Sequence, residues 1–142
     1  MNFSKVDQHK HLGYEFDWLA TDNSGAIGFF STGGAGWLPA AIAESVEDNL
    51  DLLSKTLRLP KTTDAIVRCR VKHLISDWIA VSERGIYTFD WNWSARRYER
   101  VADPKAALRP SQNLAEFEGL LRISVPLNCA FDDDVTFPAS VD

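Results

Sequence analysis

The chain has 142 residues, of which 45% are hydrophobic and 25% are charged, with a net charge of −5. This length and balance predict one globular domain over residues 1–142 and exclude a long disordered segment. The polar start lacks the pattern of a secretory leader or a membrane span, and the two cysteines fit reduced thiols, so we expect a cytoplasmic protein.

The charge is divided into three blocks along the chain. Residues 1–54 carry eight acidic and two basic side chains, residues 55–109 six acidic and twelve basic, and residues 110–142 six acidic and one basic. The blocks could neutralise one another in the fold, or the acidic blocks could form a surface for a basic partner. Of these two alternatives, we favour neutralisation within the fold.

The first predicted element is a β-hairpin. Aromatic and polar residues alternate from Tyr14 to Ala20, which places Phe16 and Trp18 on one face of a strand. Residues 21–25 have turn chemistry, and residues 26–31 return as the second strand.

A single long helix is predicted over residues 39–59. Pro39 suits the first helical position, and Pro60 ends the helix. Apolar residues recur at helical spacing and form a stripe that we expect to pack on a sheet: Ile42, Val46, Leu50, Leu53 and Leu57. The opposite face carries four acidic residues: Glu44, Glu47, Asp48 and Asp51.

The middle of the chain is predicted to contain a second hairpin. Residues 64–75 fit either a strand or a short helix, and alternation with basic residues favours the strand. Residues 77–82 and 86–93 read as paired strands around the turn at 83–85, with a further strand at 98–102. One face of the second strand carries an aromatic row that we expect to face the core, with Trp78 opposite Trp91 on the partner strand: Tyr87, Phe89, Trp91 and Trp93.

The end of the chain adds smaller elements. Residues 113–116 have the spacing of a capping box, which predicts a short helix to about residue 121, and residues 123–129 fit a last strand. The expected fold is therefore α+β. It has an antiparallel sheet of five or six strands built from hairpins, with one long helix packed on it and a short C-terminal helix.

A glycine-rich turn precedes the long helix and contains Gly33, Gly34 and Gly36. It lacks the Lys and Ser/Thr of a nucleotide-binding P-loop, and Pro39 occupies the third glycine position of a dinucleotide fingerprint. The turn can serve as an ordinary sheet exit, which we favour. The alternative is an anion or small-ligand site made by free N–H groups at the helix start.

Other site classes have little support in the sequence. Histidines and cysteines show no metal-ligand spacing, and no nucleophile motif or cofactor motif is present, so we expect neither a metal, a cofactor nor an enzyme. The row at Tyr87–Trp93, followed by three arginines, could stack nucleic-acid bases, but an aromatic row at period two is typical of a sheet core. Neither a nucleic-acid partner nor a membrane is expected.

Three segments carry a family resemblance: YEFDWLATDNSGAIGFFSTGGAG, DWIAVSERGIYTFDW and YERVADP. In these, and in its size and acidity, the chain resembles small acidic bacterial proteins associated with toxin or interbacterial competition systems, of the immunity-protein type. The resemblance implies a protein-binding module that neutralises a cognate toxin by stoichiometric association, and it carries over no partner-contacting residue. The acidic charge of the chain predicts that the toxin is basic. The candidate partner-binding residues are the acidic ones: Glu44, Glu47, Asp48, Asp51, Asp132, Asp133 and Asp134.

Overall fold

The computed structural model describes residues 3–4, 17–33, 36–44, 46–68, 75–108, 115–132 and 136–137. The strands in these segments are β1 (Phe3–Ser4), β2 (Asp17–Thr21), β3 (Ile27–Ser31), β4 (Leu38–Pro39), β5 (Ala65–Val67), β6 (Tyr87–Asn92), β7 (Arg97–Pro104), β8 (Val125–Pro126) and β9 (Thr136–Phe137). The helices are α1 (Ala40–Ala43), α2 (Leu52–Thr56), α3 (Ser76–Ser82) and α4 (Ala115–Ile123), with a 3₁₀ turn at Val46–Asn49.

The main sheet has the strand order β5-β7-β6-β3-β2-β8, with β9 paired to β7, while β1 pairs with β4 in a separate ladder. An α+β fold is therefore confirmed, but the prediction of an antiparallel sheet is wrong. β3 pairs with β6, and β2 with β8, in parallel. The chain between β3 and β6 contains α1, α2 and α3, and such a crossover allows parallel strands to be neighbours.

The first predicted hairpin is present. β2 and β3 pair antiparallel from Asp17 opposite Ser31 to Thr21 opposite Ile27. The Asp22 carboxylate accepts backbone N–H groups from Ser24 and Ala26, so the turn is closed by the residue types that predicted it.

The second predicted hairpin is wrong, because residues 76–82 form helix α3. A short apolar run fits either period, and here Val81 and Ser82 are the buried positions. The Ser82 hydroxyl donates to the Ile86 carbonyl (2.8 Å), which fixes the end of the helix against the start of β6. β6 instead forms its hairpin with β7, around residues 93–96.

The long helix predicted over residues 39–59 is also wrong, because the segment is divided into α1, the 3₁₀ turn and α2. Asp51 adopts a left-handed backbone conformation (φ 57°), which a continuous right-handed helix does not allow. The break changes which leucines face the core: Leu52 is buried, whereas Leu50 is 52% exposed. Pro39 ends β4 and precedes the first turn of α1.

The sheet is covered on both sides. We call one side the aromatic face; its buried residues include Trp18, Phe30, Phe89, Trp91 and Tyr98, and the segment around Trp37 and Ile42 packs on them. We call the other side the helical face, where Leu19, Ile27 and Phe29 contact buried residues of the helices, including Leu52, Val81 and Phe117. This division follows from strand alternation, which sends neighbouring residues to opposite faces.

The remaining elements are close to expectation. Strand is present at Ala65–Val67 within the ambiguous segment 64–75, of which residues 69–74 lie outside the described residues. The short helix is α4, and the last predicted strand is reduced to β8.

Candidate functional site

The glycine-rich turn is a close-packed exit from the sheet. Gly33 has φ +60°, as a turn glycine commonly does, and the Gly36 N–H donates to the Thr32 carbonyl (2.8 Å). A Cβ at Gly36 would lie 2.2 Å from the Tyr98 hydroxyl oxygen. Gly36 is therefore needed for close packing, and its N–H is engaged within the protein, whereas Gly34 lies outside the described residues.

Tyr98 holds this exit against the aromatic face. Its hydroxyl donates to the Trp37 carbonyl (2.9 Å) and accepts the Trp18 indole N–H (3.2 Å). Burial raises the pKa of the Tyr98 phenol above its ordinary value, so the donor stays protonated at neutral pH. The hydrogen bond to the Trp37 carbonyl therefore holds the end of the glycine-rich turn against the sheet.

The acidic residues of the predicted helix remain at the surface although the helix is broken. Glu44, Glu47, Asp48 and Asp51 are all exposed. The exposed Leu50 lies among them in the chain, between the 3₁₀ turn and the left-handed Asp51. We call these five residues the Leu50 surface. It combines an apolar side chain with flanking carboxylates, a composition found in protein-binding surfaces.

A second acidic region lies on the helical face, at one end of the sheet. Pairing places Asp17 opposite Ser31, and Ser31 opposite Asp90, in one row across β2, β3 and β6. With Asp77 and Trp78 of α3, this row lines a cleft of about 380 Å³ whose other walls include Leu53 and Gly33. We call this the acidic cleft; its described lining residues are Asp17, Phe29, Ser31, Gly33, Leu53, Asp77, Trp78 and Asp90.

The acidic cleft and the Leu50 surface are neighbours. A second cleft of about 370 Å³ is lined by Leu50 and Asp51, and it shares Asp17 and Leu53 with the acidic cleft. The two clefts therefore meet at Asp17 and at Leu53 of α2.

The structure places the other predicted residues away from this area. Asp132 is exposed beside the buried Phe131 and lines neither cleft, and Asp133 and Asp134 lie outside the described residues. Sequence reasoning missed Asp17, Asp77 and Asp90. Asp17 and Asp90 carried a signal, since each is a polar position alternating with buried aromatic residues in its strand.

The aromatic row belongs to the core. Tyr87, Phe89 and Trp91 are buried, while Trp93 is 62% exposed. Two of the arginines behind the row have partners within the protein: Arg97 pairs with Glu99 (3.1 Å), and Arg100 pairs with Asp103 (2.9 Å). The sheet-core interpretation of this row is thus confirmed for its three buried members.

Charge pairing is concentrated in the basic central block. Four ion pairs among the described residues lie within residues 55–109: Lys61 with Glu83, Arg68 with Asp103, Arg97 with Glu99, and Arg100 with Asp103. The four carboxylates of the Leu50 surface take part in none of these pairs, although Glu47 and Asp48 share a groove with Lys55 and Arg58. Among the described residues, the basic block therefore forms ion pairs within itself and also borders two acids of the first block.

Comparisons with protein-family models, curated proteins and solved structures gave no significant match. Within the described part of the chain, no group of three or more His, Cys, Asp or Glu side chains is arranged to hold a metal ion. None of the helices found there has the length and apolar character needed to cross a membrane.

Proposed function

We propose that the protein is a protein-binding module, an immunity-type inhibitor that neutralises a basic bacterial toxin by one-to-one association in the cytoplasm. The proposal rests on the Leu50 surface, where an exposed leucine is flanked by carboxylates. Binding interfaces combine a few apolar anchors, which supply most of the affinity, with charges that guide the encounter. The resemblance of the sequence to immunity-type proteins points to the same class of partner.

Leu50 is the observation that carries the proposal. The side chain is 52% exposed, whereas Leu52, two residues later, is 1% exposed in the core. Since the left-handed Asp51 separates the two, the backbone holds Leu50 outward at this position. Covering this exposed apolar side chain with a partner removes its surface from water, and the acidic residues near it in the chain favour a partner that carries cations.

The proposal is tested by growth protection. The protein encoded directly upstream is expressed from an inducible promoter, alone and together with this chain, with an inactive variant of that protein as the control. We expect the upstream protein to arrest growth and co-expression of this chain to restore it. Equal growth arrest with and without this chain would contradict the proposal.

The first prediction concerns the charge of the Leu50 surface. Replacing Glu47 and Asp48 by lysine should slow association with the toxin by about tenfold or more at low salt and flatten its salt dependence, because steering attraction becomes repulsion. Asp51 is left unchanged, since lysine is strained at φ 57°. Stopped-flow association rates at several ionic strengths measure the effect.

The matched control carries the same charge change elsewhere. Asp64 and Glu118 are exposed and line neither cleft, so Asp64→Lys with Glu118→Lys should leave a faster association than the test variant. Equal slowing by both double variants would show that only net charge matters and would remove the Leu50 surface from the interface.

The second prediction concerns the apolar anchor. Leu50→Ser should weaken toxin binding by about tenfold or more, as expected for an interface anchor, mainly through faster dissociation. The melting temperature should change little because the side chain is largely in solvent. Surface plasmon resonance beside thermal unfolding separates the two effects. An unchanged dissociation rate would exclude Leu50 as an anchor.

A further inference from the structure

Strand β5 forms an edge of the main sheet. It stands at one end of the strand order, and among the described strands it pairs only with β7. The Asp64 carbonyl and the Arg68 N–H form hydrogen bonds to the backbone of β7 or of the residue after it (2.8 and 2.9 Å). Since backbone groups of successive residues in an antiparallel ladder point to opposite neighbours, Ala65 and Val67 direct their N–H and C=O groups away from β7.

Two large apolar side chains of this edge strand are exposed. Ile66 is 48% exposed and Val67 is 43% exposed, and as neighbours in a strand they point to opposite sides of the sheet. Sheets commonly protect an edge with charged side chains or proline, because an unpaired strand can pair with another chain. Within β5 the exposed positions are apolar instead, which favours pairing through this edge.

The charges that flank β5 are complementary to those of a second copy of the chain. Asp64 and Arg68 are exposed, and each lies two residues from Ile66, on the same side of the strand as Ile66. Antiparallel pairing about a two-fold axis at Ile66 places each Asp64 opposite the Arg68 of the second copy. The two Ile66 side chains then meet at the axis, and Ala65 and Val67 exchange backbone hydrogen bonds across it.

Arg68 can contact a second carboxylate while it keeps its partner within the chain. Its Nε donates to the Asp103 carboxylate, and its side chain is 46% exposed. Because a guanidinium carries five N–H donors, its Nη groups can donate to an Asp64 carboxylate across the edge. We propose that the β5 edge joins two copies of this chain in a two-fold, antiparallel dimer whose sheet is continuous. The proposal goes beyond toxin binding and does not depend on it.

The proposal is tested first by concentration. Because β5 has three residues, the contact is small and the dimer is weak and reversible. We expect sedimentation equilibrium to show an average mass that rises from one copy towards two between about 10 µM and about 1 mM. The backbone amide resonances of Ala65 and Val67 should shift over the same range. A mass of one copy throughout, or shifts confined to other residues, would overturn the proposal.

Two variants assign the dimer to the edge. Ile66→Lys places like charges at the axis and should weaken dimerisation by about tenfold or more. Val67→Pro removes an N–H that points away from β7, so the sheet tolerates it while the pairing loses a hydrogen bond. Leu50→Ser is the control, because it removes an apolar side chain of similar exposure outside the edge. Equal weakening by Leu50→Ser would indicate general apolar association and contradict the proposal.

Asp64→Lys tests the register at an exposed position outside the strand. The new lysine lies opposite Arg68 twice in the two-fold dimer, so dimerisation should weaken by about fivefold or more. Glu118→Lys makes the same charge change at an exposed acid of α4 and should have a smaller effect. Equal effects of the two variants would show that only net charge matters and would overturn the register.

Toxin binding separates this inference from the proposed function. If the chain dimerises through β5 but gives no growth protection, the dimer stands and the proposed function fails. If the chain stays monomeric and Ile66→Lys abolishes toxin binding, the toxin occupies the edge and the dimer proposal is overturned.

Discussion

Replacing Trp91 by alanine is expected to lower the free energy of unfolding by about 3–5 kcal/mol, the range for deleting a large buried aromatic side chain. Trp91 is 4% exposed, and its ring contacts Tyr98 edge-on at 5.0 Å between centroids and Trp37 at 6.2 Å. The variant leaves a cavity between the sheet and the segment that packs on it. Urea unfolding followed by far-UV circular dichroism measures the loss.

Trp93 provides a matched control on the same β6–β7 hairpin. It is 62% exposed, so Trp93→Ala should change stability by no more than about 0.5 kcal/mol. Equal unfolding midpoints for the two variants would contradict the assignment of Trp91 to the core. Measuring secondary structure rather than tryptophan fluorescence keeps the signal comparable between them.

The second large effect is expected at Gly36. Gly36→Ala should destabilise the protein by about 1–3 kcal/mol or more, the cost of forcing extra atoms into a packed core. The added Cβ would lie 2.2 Å from the Tyr98 hydroxyl oxygen and 3.0 Å from the Thr32 Cα. Tyr98 cannot withdraw without losing its hydrogen bonds to Trp37 and Trp18.

A double-mutant cycle with Tyr98→Phe tests this explanation. Removing the hydroxyl removes the closest contact, so Gly36→Ala should cost less in the Tyr98→Phe background than in the wild type. Gly33→Ala is the control. Among the described residues, a Cβ there meets only Trp93, at 3.6 Å, and its cost of about 1–2 kcal/mol comes from the positive φ. Additive effects of Gly36→Ala and Tyr98→Phe would show that the two residues do not interact.

The parts of the fold that were predictable from sequence are those specified by neighbouring residues. The hairpin of β2 and β3 combines alternation with an Asp-containing turn, and the structure has both. The burial of Trp18, Phe89 and Trp91 likewise follows from alternation within one strand. The exposure of the acidic residues around Leu50 follows from their charge.

The wrong predictions concern features decided by distant contacts. Residues 77–82 were predicted as a strand, but their apolar run fits the spacing of a helix as well as that of a strand. Packing of Val81 on the helical face selects the helix. Asp51 breaks the long helix through a backbone conformation that an aspartate in a helical pattern does not reveal. The mixed sheet depends on which strand β6 joins after the crossover.

The acidic cleft was hidden for the same reason. Asp17 and Asp90 are far apart in the chain, and they share a row only because β3 pairs with β6 in parallel. Asp77 reaches the cleft only as part of a helix, whereas the sequence predicted a strand there. Local pattern therefore located the four exposed carboxylates, but it wrongly placed Leu50 in the buried stripe and did not reveal the cleft.

Sedimentation velocity tests most directly whether this chain binds a toxin through the Leu50 surface. The chain is mixed with the purified, catalytically inactive protein encoded directly upstream, with Glu47→Lys/Asp48→Lys and Asp64→Lys/Glu118→Lys in parallel. We predict one complex with a single copy of each protein, weakened by the first double variant more than by the second. Independent sedimentation of the two proteins at micromolar concentrations would contradict toxin binding by this chain.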